Sequence, residues 1–219
     1  MKRILLVLIA GLLGAPVVTG QSSPAASDSK TAETAPGSLT PEERTRAVEY
    51  LTQTQKEFLA AIDGLSEKQW HFKATPDRWS IAETAEHIAV TEDLIWDRVT
   101  GKIMPSAAAP EKRAEVRGKE EMILKVIRDR SRKATAPEQL NPTGKWPTRA
   151  ELVKNFVATR EREIAYLQET KEDLRSHFDE HPFLKTMDAW QWLLFNGAHG
   201  KRHTAQILEV KADPNFPKS

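Results

Sequence analysis

From Thr40 to Lys211 the apolar residues recur at steps of three and four, the spacing of helices that bury one face. The clearest seam is Ile81, Ala85, Ile88, Glu92, Ile95 and Val99, which predicts a helix over about 80–100. Ser80 is placed to cap it, with Glu83 three residues on at the capping-box spacing. Tyr50, Leu51, Phe58 and Ile62 mark the stripe of a helix over about 41–62. Thr40-Pro41-Glu42-Glu43 opens that helix and Asp63-Gly64 stops it. Leu152, Phe156, Val157, Ile164 and Leu167 predict a third over about 149–176, capped by Thr148. A fourth begins at Asp188 and runs to about Lys211, where Asp213-Pro214 follows. A more polar segment over about 117–132, carrying Met122, Ile123, Val126 and Ile127, predicts an extra helix. No stretch alternates apolar and polar residues, so no strands are expected. The fold class is therefore all-α, a four-helix bundle with an extra helix and long connecting loops over 65–78, 101–110 and 136–147.

The N-terminal segment has a different pattern. Lys2 and Arg3 precede an apolar run from Ile4 to Leu13, and Val18-Thr19-Gly20 offers a cleavage point before Gln21. This is the layout of a signal peptide over 1–20, and it predicts a periplasmic or extracellular protein. Left uncleaved, the segment would be an N-terminal anchor; its apolar run falls short of the roughly 20 residues of a membrane span. Once cleaved, no stable membrane span is expected. Residues 21–38 are rich in Ser, Ala, Thr and Pro without apolar periodicity, and read as a flexible linker to one domain over 39–219. The chain has no cysteine, which removes disulfides, thiolate nucleophiles and thiolate metal ligands. Net charge is +1 with no basic stripe, so no nucleic-acid partner is expected.

The histidines change the picture most. His199 and His203 stand four apart on the last predicted helix. Four residues turn about 400°, so both rings share a face and lie about 6 Å apart along the axis. Trp192, Asn196, Gln206, Ile207 and Val210 lie on or near that face, which points the pair inward; a chance pair on the surface is the alternative. Gly200 stands where a zincin helix carries its glutamate base, so a metalloprotease is excluded. A third ligand must come from another helix. His87 is the candidate, beside the apolar seam of the 80–100 helix with Glu83 and Thr91 one turn either way; a hydrogen-bonded core histidine is the alternative. Three imidazoles with an open position suit a divalent transition metal such as Zn, Ni, Fe or Mn. His71, His177 and His181 fall in loops or at helix ends and read as surface or capping residues.

The segment RWSIAETAEHIAVTEDLIWDRV resembles the first signature of the DinB/YfiT-like superfamily, and HGKRHTAQILEVKADPNFP resembles its last. KWPTRAELVKNF lies between them and looks like the start of the family's third main helix. The resemblance spans about Pro41 to Pro217. It implies a four-helix bundle and carries the family's metal-binding triad onto His87, His199 and His203. It does not imply one activity, since members include thiol transferases, maleylpyruvate isomerases and metal-dependent hydrolases. A metal held by three neutral imidazoles keeps its charge and can acidify a bound water, so hydrolysis of a small molecule is the expected chemistry. Glu83 is the candidate catalytic residue, able to orient His87 or relay a proton, against a plain capping role. Gln206 could hydrogen-bond within the site, and Trp192 could wall it or belong to the core. A non-catalytic metal-binding or interaction bundle is the second reading. A thiol transferase is the third, disfavoured because the thiol cofactors are cytosolic. The substrate is open, and so is homodimer formation.

Overall fold

The structure, a computed structural model, describes residues 37–131 and 135–218. The expected leader over 1–20 and nearly all of the expected linker lie outside these residues.

Among the described residues the chain is mostly helical. The order is α1 (Pro41–Ile62), α2 (Glu67–Trp70), α3 (Ile81–Arg98), α4 (Arg113–Val116), α5 (Glu120–Arg128), α6 (Arg149–Glu169), β1 (Phe178–His181), β2 (Lys185–Asp188) and α7 (Ala189–Lys211). The four long helices form the bundle: α1 and α3 each pack on both α6 and α7, and α5 lies against α7 from outside. Each long helix starts with a closed capping box, Thr40 with Glu43, Ser80 with Glu83, Thr148 with Glu151 and Asp188 with Gln191. These boxes satisfy amide groups that the first turn of a helix leaves unpaired. No helix of the described residues is long and apolar enough to cross a membrane.

Two apolar clusters fill the bundle. One is built on Leu51, Ile95, Ile123, Leu167, Met187 and Leu193. The other is built on Phe58, Ile81, Ile88, Leu152, Phe156 and Ile207. Between them lies a buried polar layer of Thr54, Thr91, Glu92, Thr159, Arg160, Glu163 and Asn196. Each bundle helix contributes to that layer, so it crosses the whole section.

The structure corrects the expected elements in four places. α3 does not stop before a loop at Gly101 but continues as a π-helical turn through Ile103, because Val99 and Ile103 are both buried in the core. The polar helix is shorter than 117–132: Gly118, at φ +78°, breaks the chain between α4 and α5, and α5 ends at Arg128. α6 ends at Glu169 rather than near 176. There the Arg44 guanidinium takes the carbonyls of Leu167 and Thr170, so a side chain from α1 caps the helix end. The expectation of no strands also fails. Residues 178–188 form an antiparallel hairpin pairing Phe178 with Asp188 and His181 with Lys185. Its strands have four residues each, too short for alternation to stand out in the sequence.

Candidate metal centre

α3 and α7 run antiparallel across the bundle, with the Arg98 guanidinium over the Trp192 ring at one end and His87 against His199 and His203 at the other. The Ser80 cap sets where α3 begins, and so brings His87 onto the buried face two turns in. On α7 the four-residue step puts His199 and His203 on one face, with ring centroids 4.5 Å apart. One ligand nitrogen from each of His87, His199 and His203 lies within 4.8 Å of the others, a set that could hold a metal ion. His87 is buried, while His199 and His203 keep partial exposure, so the cluster has one side toward solvent.

The hydrogen bonds fix which nitrogens are free. Nδ1 of His87 lies 2.8 Å from the Leu140 carbonyl oxygen. A carbonyl only accepts, so Nδ1 carries the proton and the Nε2 lone pair is available. Nδ1 of His203 lies 3.0 Å from Gln206 Oε1, and the Arg130 guanidinium donates to the same oxygen at 3.2 Å. A guanidinium only donates, so the atom it meets is the amide oxygen, and His203 must donate to it from Nδ1 and also presents Nε2. Arg130 is itself held by both carboxylate oxygens of Glu209 at 2.6 Å. Nε2 of His87 is 3.2 Å from Nε2 of His199. Two nitrogens each 2.0–2.1 Å from one tetrahedral ion would stand about 3.3 Å apart, so the spacing fits shared coordination.

The charge state agrees. Burial is the main cause that lowers the proton affinity of all three imidazoles, and mutual repulsion adds to it for His199 and His203. His203 falls to about 3. All three are neutral near pH 7, the form that coordinates. Trp79 and Phe195 bound the cluster, with ring centroids 4.9 Å from His87 and 5.8 Å from His199 respectively.

Glu83 is not part of the convergent group. Its carboxylate accepts from the Ser80 amide at 2.8 Å and pairs with Lys73 at 2.8 Å. These partners hold its pKa below the usual carboxylate value despite partial burial. Gln206 does join the site, through His203. Trp192 is buried in the apolar core, stacked near Phe195 and His181. Leu140 and Arg130 escape a reading of the sequence, since a backbone carbonyl has no side-chain signature and both lie in the 100–144 region between the family-like motifs. His181, expected as a surface or capping residue, is partly buried on Trp192 and Phe195, and burial lowers its pKa to about 4. Its Nδ1 accepts the amides of Phe183 and Leu184, so it stabilises the hairpin turn.

A family model described as the DinB superfamily matches residues 50–207, well over half of the chain and inclusive of all three histidines. The uncharacterized protein YuaE of Bacillus subtilis (strain 168) is 28% identical over 150 residues, covering 68% of this chain and 88% of YuaE. The solved structure of YfiT from Bacillus subtilis superimposes with a TM-score of 0.52 at 14% identity, covering 82% of this chain and 92% of YfiT. That protein is described as a probable metal-dependent hydrolase with an unusual four-helix bundle topology.

Proposed function

The chain belongs to the DinB superfamily, and on that premise we propose that it is a metal-dependent hydrolase of a small molecule, with His87, His199 and His203 as the metal ligands. The observation that carries this reading is the convergence of three neutral imidazoles within 4.8 Å, two of them held by hydrogen bonds at Nδ1. The description of YfiT as a metal-dependent hydrolase supports the choice of reaction class. A divalent ion held by these three imidazoles would supply Lewis acidity for hydrolysis.

The chain's own residues do the rest. Leu140 and Gln206 hold the Nδ1 protons of His87 and His203, so neither ring can turn its lone pair away. Arg130 and Glu209 keep Gln206 in place. Trp79 and Phe195 exclude water from two sides, and the exposed side of His199 and His203 is the approach for a substrate.

The test begins with metal content. Purified protein is expected to hold about one divalent ion per chain, and a His87/His199/His203 triple-Ala variant only background. Hydrolysis of a panel of small esters, amides and phosphoesters should disappear on chelation and return on adding Zn²⁺, Ni²⁺, Fe²⁺ or Mn²⁺. Equal metal in wild type and triple-Ala protein would end the reading. Metal bound by the triad but no metal-dependent turnover on any of these would leave a binding protein and remove the hydrolase.

A further inference from the structure

Glu86 precedes His87 on α3 and is 7% exposed, yet no cationic side chain forms an ion pair with it among the described residues. Its carboxylate is instead wrapped by a loop. The amides of Thr143, Gly144 and Lys145 donate to it at 2.7, 3.0 and 3.1 Å, and the Thr143 hydroxyl adds a longer contact at 3.3 Å. Three successive amides aimed at one anion form a nest, whose summed dipoles take the place of a counter-ion. Gly144 makes the turn of amides attainable, since its φ of +76° is one that a side chain disfavours.

The same loop carries Leu140, whose carbonyl accepts the Nδ1 proton of His87. The loop is exposed along most of its length, so it has little packing of its own. Two adjacent residues of α3 therefore grip it at two points, Glu86 by its donors and His87 by an acceptor three residues earlier. The grips have different strengths. Four hydrogen bonds to a charged carboxylate outweigh one bond between neutral groups. Glu86 is thus the anchor and the His87–Leu140 bond depends on it.

We propose that Glu86 is a positioning residue for the metal centre: by seating residues 143–145 it holds the Leu140 carbonyl against Nδ1 of His87 and so commits Nε2 to the ion. The role rests on the metal reading for its purpose but not for its observation, which is the Leu140 carbonyl 2.8 Å from Nδ1 of His87.

The experiment uses the full chain in wild-type, Glu86→Ala, Glu86→Gln and Gly144→Ala forms. Gly144→Ala leaves Glu86 in place and adds a methyl to open space, so it perturbs only the loop's backbone conformation. Imidazole ¹H–¹⁵N correlation spectra of metal-free protein should show His87 as a single Nδ1–H tautomer with a slowly exchanging proton. In Glu86→Ala that proton should exchange fast and the tautomers mix, with Gly144→Ala between the two. Co²⁺ affinity, read from the visible spectrum, should fall about 10–100-fold in Glu86→Ala, the usual loss when a partner behind a ligand is removed. In a His87→Ala background the Glu86 change should cost no further affinity. Glu86→Gln keeps one acceptor oxygen and should fall between wild type and Ala. A Glu86→Ala protein that melts earlier but keeps the wild-type His87 tautomer would overturn the proposal and leave Glu86 a plain loop anchor. Should Glu86→Ala not fold, the Gly144→Ala spectra decide the same question. Wild-type protein that takes up no Co²⁺ would refute the metal reading, while the tautomer spectra still judge Glu86.

Discussion

Arg160 is 1% exposed in the middle of the bundle, and every part of its guanidinium is engaged. It meets Glu92 through both Nε and Nη2, and its Nη1 donates to the Leu51 carbonyl at 3.1 Å and the Thr54 hydroxyl at 2.8 Å. Glu163 lies 3.7 Å from the same guanidinium and is fully buried, with Asn196 donating to one oxygen at 3.1 Å. Its other oxygen accepts no bond. One cation thus faces two carboxyls where charge is costly. Burial first, and then the Glu92 charge, push the Glu163 pKa well above the usual carboxylate value, which favours its protonated form. The roles of the two carboxyls therefore differ. Glu163→Gln mimics the protonated acid and should change stability by less than about 1 kcal/mol. Glu92→Ala strips the buried cation of its main partner and should cost about 3–5 kcal/mol. Urea unfolding at pH 7 measures both, and equal losses would show that Glu163 is ionised. No periodicity announces this layer. Glu92 stands in the apolar seam of the 80–100 helix, and only its neighbours on three other helices explain why a charge is there.

At the scale of elements, the starts of helices were legible and their ends were not. Each capping box lies within four consecutive residues, so Ser80 with Glu83 and Thr148 with Glu151 can be read locally. The end of α6 depends on Arg44, more than a hundred residues earlier in the chain, and no local signal marks it. Asp188 is both cap and buried acid. It accepts the Gln191 amide at 2.8 Å, is 2% exposed, and meets the Arg175 guanidinium at 3.8 Å. Burial pushes its pKa up from 3.8 to about 7. The native state then holds a proton that the unfolded chain releases above pH 4. The stability tied to that proton is complete below the unfolded pKa and is lost as pH rises toward 7. Asn caps a helix as well as Asp and does not titrate. Asp188→Asn should therefore gain on wild type between pH 4 and 7, by at most about 1.4 kcal/mol per pH unit, and hold a constant offset above that. Thermal or urea unfolding across this range measures the difference, and parallel pH profiles would show that Asp188 is ionised throughout.

At the scale of the molecule, the three imidazoles lie where α3 packs along α7, so any ion they hold bears on the stability of the whole bundle. His199 and His203 were legible because four residues is one helical turn. His87 needed the family-like order of segments, since a lone histidine on an apolar seam has several uses. Leu140 and Glu86 were beyond reach, because the bond from His87 to Leu140 spans 53 residues to a backbone atom. The triad also fixes how the protein meets acid. Burial lowers all three pKa values, His203 from 6.5 to about 3. Below pH 6.5 the unfolded chain takes up protons that the native triad refuses, so stability present at pH 7 is lost as pH falls toward 3. A bound ion deepens the dependence. It adds stability by binding only the folded state, about 4 kcal/mol at a thousandfold excess over its Kd, and protons compete for the same nitrogens. Melting temperatures from pH 8 to 4.5 should be compared for metal-loaded protein, chelator-treated protein and the triple-Ala variant. The gap between loaded and chelated protein should be widest at pH 7–8 and close below about pH 5. The triple-Ala variant, which has no such imidazoles to protonate on unfolding, should lose less on acidification than the chelated wild type. Identical acid profiles for those two proteins would mean that the triad is not held neutral in the fold, and a gap that persists at pH 4.5 would mean that the metal binds elsewhere.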